Sequence, residues 1–170
     1  MPGPRKGRTS RLLPTTTTVN YNVVMPTPRS VRFDESTIER LTAYCLKHPG
    51  LSLSGAAAAL VEEGLRMDLH PGIVFRDGPT GRRAALVGGP DVWEVIRAIK
   101  QLRAQEPEVK AGEAISVVAD ATGMASEVIS RAVNYYAAFP EEIEAEIAQA
   151  DLAEEQAYRE STITKQLLEA

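Results

Sequence analysis

Cysteine is almost missing from this 170-residue sequence, and the one copy, Cys45, excludes both an internal disulfide and a cysteine-cluster metal site. Its place on an apolar helical face makes it a small core residue rather than a nucleophile. Aromatic residues are scarce at 5%, so a core drawn from the 44% apolar content must be mostly aliphatic. The two histidines, His48 and His70, each stand before a proline, with no serine or carboxylate placed around them as catalysis requires. The expectation is therefore a non-enzyme without cofactor or metal. No apolar run reaches the length needed to span a bilayer, and the basic N-terminus lacks the continuous apolar segment of a signal peptide. These absences point to a cytoplasmic protein with no membrane partner.

What is present is a gradient of charge. Residues 1–33 carry six bases (Arg5, Lys6, Arg8, Arg11, Arg29, Arg32) and no acid, whereas residues 141–170 carry nine acids and two bases. A basic front and an acidic back suit a chain that holds nucleic acid at one end and another partner at the other, despite a net charge of −4. Residues 1–27 combine Pro, Gly and a four-threonine run without a period, which predicts a disordered basic arm able to lie along a phosphate backbone. Met25, opening MPTPRSVRF, is an alternative start.

The chain is organised around residues 29–67. In RSVRF, Val31 and Phe33 share one parity and Ser30 and Arg32 the other, the period-two pattern of a half-buried strand. A helix follows, capped by Asp34 or by a Ser36/Glu39 capping box, with Ile38, Leu41, Cys45 and Leu46 on one face. It should end at His48, because Pro49 and Gly50 come next. Ser52 or Ser54 caps a second helix, in which Leu53, Ala56, Ala57, Leu60, Val61, Gly64 and Leu65 recur at helical spacing. One strand and two helices cannot close a core alone, and an unpaired strand invites a partner.

This stretch resembles the ribbon-helix-helix family of DNA-binding proteins: the alternating SVRF, the Asp34-Glu35 helix start, and the L-S-x-S lead into a helix ending EEGLR. The resemblance implies an intertwined homodimer whose paired strands enter the major groove of double-stranded DNA. It implies DNA-binding roles for Pro28, Arg29, Ser30 and Arg32, with Arg32 reading a guanine edge. Val31 and Phe33 would lie in a dimer core shared with Ile38, Leu41, Cys45 and Leu60. Ser52, Ser54 and the first amides of the second helix would hold a phosphate.

Beyond Met67, Ile73–Arg76 and Arg83–Val87 read as two strands joined by the turn residues Asp77 to Gly81. Arg76, Arg82 and Arg83 crowd that turn, either solvated or touching phosphate as a wing would. A helix capped near Asp91 turns Val92, Ile96, Ile99 and either Val95 or Leu102 inward, and Trp93 packs the hairpin on it. Ala119, Gly123 and Ile129 then have helix-turn-helix spacing: a small residue where helices approach, a glycine at the turn, and an apolar anchor after it. The second of these helices should expose Ser126, Glu127, Ser130, Arg131 and Asn134. Ser126, Ser130, Arg131 and Asn134 could make a second DNA contact, although Glu127 and the acids downstream oppose a phosphate backbone.

The span 70–143 is also similar to a small helix-turn-helix domain of unknown function found in certain VapB-type antitoxins, through HPGI, GGPDVWEVI and RAVNYYAAFPEEIE. It departs from that pattern at GRRAAL and in the linker around residues 105–112. The resemblance implies a PIN-type ribonuclease toxin as partner. Residues 141–170 would then be an acidic helix or tail that covers a basic cleft, or else a terminal helix packed on its own domain. The expectation is a mainly α protein with an N-terminal ribbon-helix-helix (28–67) and a hairpin plus helix-turn-helix domain (70–140). Its function would be a DNA-binding antitoxin and repressor, with a stand-alone regulator or a dimeric adaptor as alternatives.

Overall fold

The computed structural model describes residues 30–79 and 81–169. Six helices and one hairpin follow in the order α1 (Glu35–Lys47), α2 (Leu53–Leu69), β1 (Ile73–Gly78), β2 (Gly81–Leu86), α3 (Val92–Gln105), α4 (Ala111–Thr122), α5 (Ser126–Ala138) and α6 (Pro140–Glu169). The fold is mainly helical with a small two-stranded antiparallel sheet.

The helix starts follow from their caps. Asp34 accepts the Thr37 amide at 2.7 Å and begins α1, so Asp34 rather than the Ser36/Glu39 box is the cap. Ser52 caps α2 by accepting the Gly55 amide at 3.1 Å. Asp91 and Glu94 form a reciprocal capping box on α3. Between α4 and α5, Gly123 takes a left-handed conformation at φ 68°, and its amide and that of Met124 return to Ala119 and Asp120 carbonyls. The helix-turn-helix spacing is thus realised, with Ala119 and Ile129 both buried.

The core lies between residues 73 and 147. Ile73, Ala84 and Leu86 from the hairpin meet Val92, Val95 and Ile96 of α3, Val118 and Ala119 of α4, Ile129, Ala132 and Tyr135 of α5, and Ile143 and Ile147 of α6. Trp93 packs against its edge. In contrast, Leu41 and Ala56 are the buried apolar residues of α1 and α2, and α1 packs on α2 alone.

Two expectations need correction. Residues 30–34 form no strand, and Val31 is 70% exposed: a strand needs a partner for its backbone groups, and the described residues offer none there. The hairpin arginines are ion-paired within the chain rather than free for phosphate, and of the three only Arg76, with its side chain 48% exposed, stays solvated. Arg76 and Arg83 both pair with buried Asp91, at 2.6 and 2.8 Å, and Arg82 pairs with Glu63 of α2 at 2.7 Å. Arg82 and Arg83, half-buried, take the nearest carboxylate once drawn out of bulk water. Residues 141–170, expected as an acidic helix or tail, lie in helix α6, which runs to Glu169 through the polar segment STITKQ with Arg159–Glu155 and Lys165–Glu169 pairs one turn apart along it.

Candidate nucleic-acid interface

The residues expected to meet DNA collect around the start of α1 and the start of α2. Pro28 and Arg29 lie outside the described residues. Ser30 and Arg32 are exposed on the extended lead into α1. Ser52 spends its hydroxyl on the α2 cap and lies 3.2 Å from the Ser54 hydroxyl, which is also exposed. With Gly55 capped, the amides of Leu53 and Ser54 have no partner among the described residues, so the helix start presents two donors and its positive dipole end outward.

The expected dimer core is only part-filled by one chain. Leu41 is buried and Ile38, Cys45 and Leu60 are half-buried, whereas Val31 and Phe33 remain exposed. Phe33, Leu41, Tyr44, Ala57, Leu60 and Val61 border an apolar groove of about 400 Å³. Arg40 stands at its edge, donating to the Ser36 and Thr37 hydroxyls. Leu53, Val61 and Leu65 add exposed apolar surface along α2. Exposed apolar surface of this kind on a helix pair marks an interaction site or a ligand-binding groove. The Asp34 carboxyl sits below its usual range because the Thr37 backbone donates to it, assisted by the Thr37 and Ser36 side chains.

The second contact is less open than its sequence suggests. Ser126 and Ser130 are half-buried, and the Ser130 hydroxyl donates to the Ser126 carbonyl at 2.8 Å. Arg131 and Asn134 are exposed, but they border a small cavity with Leu69, His70 and Pro71, and the Arg131 side chain lies where a side chain on Gly72 would sit. The α2–β1 connection therefore crowds the face of α5 that would enter a groove.

Sequence reasoning missed the polar seam behind this surface. Arg66 of α2 donates to Glu142 of α6 at 2.5 Å and to the Tyr135 hydroxyl at 3.1 Å, and its guanidinium lies 4.1 Å over the Phe139 ring. Tyr135 in turn donates to Glu142 at 3.0 Å, and burial pushes its phenol well above the ordinary range. Arg82–Glu63 makes a second tie between α2 and the hairpin. These partners lie tens of residues apart and share no local period, so no sequence signal could have joined them. Among the described residues no cluster of His, Cys, Asp and Glu could hold a metal, and no helix is long and apolar enough to cross a membrane. No family model, curated protein or solved structure matches the chain.

Proposed function

We propose that the chain is a dimeric DNA-binding regulator of the ribbon-helix-helix kind that acts as an antitoxin. One observation carries the reading: the alternating segment Ser30–Phe33, without a backbone partner among the described residues and exposed at Val31 and Phe33, leads directly into a capped helix pair with an unfilled apolar groove. Pairing that segment with its copy in a second chain satisfies the strand edges, buries Val31 and Phe33, and turns Ser30 and Arg32 to the opposite side, where a major groove accepts a two-stranded ribbon. The open start of α2 then meets a phosphate on each flank. The distal half of α6 supplies a surface for a PIN-type ribonuclease toxin, supported by its exposed Leu152, Tyr158, Ile163, Leu167 and Leu168 amid acids.

The test is titration of the full chain onto its upstream palindrome at two salt concentrations. Arg32→Ala should weaken binding by about 1–3 kcal/mol and relax preference at one base. Unchanged affinity sinks Arg32 as a base reader, and a flat salt response removes the DNA reading altogether. A second reading, a dimeric adaptor that never meets DNA, is favoured by the engagement of Arg66, Arg76, Arg82, Arg83 and Arg97 with carboxylates, which withdraws them from any phosphate-binding surface. The same salt response separates the two.

A further inference from the structure

Two surfaces in the C-terminal half are unpartnered among the described residues, and they complement each other. The first is an open cleft of about 590 Å³ where the end of α3, the α3–α4 connection, α4 and α5 meet. Its walls are apolar, including Ile99, Pro107, Ala111, Ile115 and Val133, and Lys100 and Arg103 stand on its border. Lys100 is held by Glu144, whereas Arg103 has no carboxylate partner among the described residues.

The second surface is the far half of α6. Beyond Glu154, which pairs with Arg97, every described residue but Thr162 is exposed. Ile163 and Leu167 are 65% and 77% exposed, and they recur at four-residue spacing with Glu160 on the same side of the helix. Leu168 adjoins them at 80% exposure. An apolar stripe carrying one acid matches an apolar cleft carrying one unpaired cation.

The helix cannot reach its own cleft. Lys100 pairs with Glu144, and Arg97 with Asp151 and Glu154, so α6 runs antiparallel to α3 and leaves past its beginning, while the cleft lies at its end. From Glu154 to Glu169 the helix extends roughly 22 Å farther away, at about 1.5 Å per residue. We propose that the distal half of α6 docks in the α3/α4/α5 cleft of a second copy of the chain, with Ile163, Leu167 and Leu168 in the cleft and Glu160 against Arg103. The contact stands apart from the pairing of the N-terminal segments and holds whether or not the chain binds DNA, whereas a toxin bound on Ile163, Leu167 and Leu168 would compete with it for the distal half of α6.

Sedimentation velocity of the full chain over a concentration series tests this. Leu167→Asp/Leu168→Asp alters exposed positions and should leave helix content by circular dichroism unchanged while abolishing one association step seen in the wild type. Arg103→Glu and Glu160→Arg should each weaken that step by about tenfold, the equivalent of ~1.4 kcal/mol, and their combination in one chain should restore it. Comparing variants with wild type isolates this step from any pairing through α1 and α2. The proposal is overturned if the wild type and the leucine variant sediment alike at every concentration, which leaves another molecule as the occupant. It is also overturned if the combined charge reversal restores nothing.

Discussion

Tyr135 is the largest fully buried side chain, and its hydroxyl is the meeting point of Arg66 and Glu142. Tyr135→Phe keeps the ring and removes one bridging hydroxyl, so it should cost about 1 kcal/mol of unfolding free energy in a urea titration. Tyr135→Ala empties the site as well and should cost about 3–5 kcal/mol. Glu146 is the other telling residue. Its Oε2 is buried without a hydrogen bond among the described residues, and its pKa is pushed up to about 7, first by burial and then by Glu142, against the pull of Arg83. The sign follows from linkage: the folded chain holds this proton more tightly than the unfolded chain, so the contribution is fully present below about 4.5 and is lost as pH rises through 7. Glu146→Gln should remove that decline, leaving a Tm less dependent on pH between those values than in the wild type. An identical pH profile in the variant would assign the slope to other groups.

Among the elements, the α4–α5 turn depends on one backbone conformation. Gly123 has open space where a Cβ would go, yet its φ of 68° penalises any L side chain. Gly123→Ala should therefore destabilise by about 1–2 kcal/mol through the backbone alone, read as a lowered urea midpoint with an unchanged spectrum. This turn was legible because Ala119, Gly123 and Ile129 each have a local steric job. The same holds for Asp34, Ser52 and Asp91 as caps, and for the hairpin turn flanked by Gly78 and Gly81. The segment Ser30–Phe33 was legible as an alternating pattern but not as a strand of this chain, since alternation specifies a face and pairing requires a second edge. The fates of Arg76, Arg82 and Arg83 were not legible, because Asp91 and Glu63 become their partners only once the hairpin has folded back. Neither was the division of α6, where Ile147 is buried and Leu152 is exposed within one unbroken helix.

For the whole molecule, the uneven distribution of core carries the consequence. The body from Ile73 to Ile147 closes on itself, whereas α1 and α2 bury little and leave Phe33, Val61 and Leu65 outside. If a second chain completes that half, stability of α1 and α2 rises with protein concentration. In the Leu167→Asp/Leu168→Asp background, each tenfold increase in concentration should add up to about 1.4 kcal/mol to their unfolding free energy. Phe33→Asp should flatten that dependence, as monitored by thermal unfolding, and a wild-type midpoint independent of concentration would count against the dimer.

The α2 helix also has a mechanical meaning. Ser52 lies exposed at one end, where a phosphate is proposed to bind, while Arg66 near the other is fastened to Glu142 at the first turn of α6. About 20 Å of rigid helix separates them, so a tilt of about 5° at the fastened end swings Ser52 by nearly 2 Å. A load that shifts the root of α6 is thereby geared up at the opposite tip, by several times the roughly 0.5 Å range over which a hydrogen bond keeps its length.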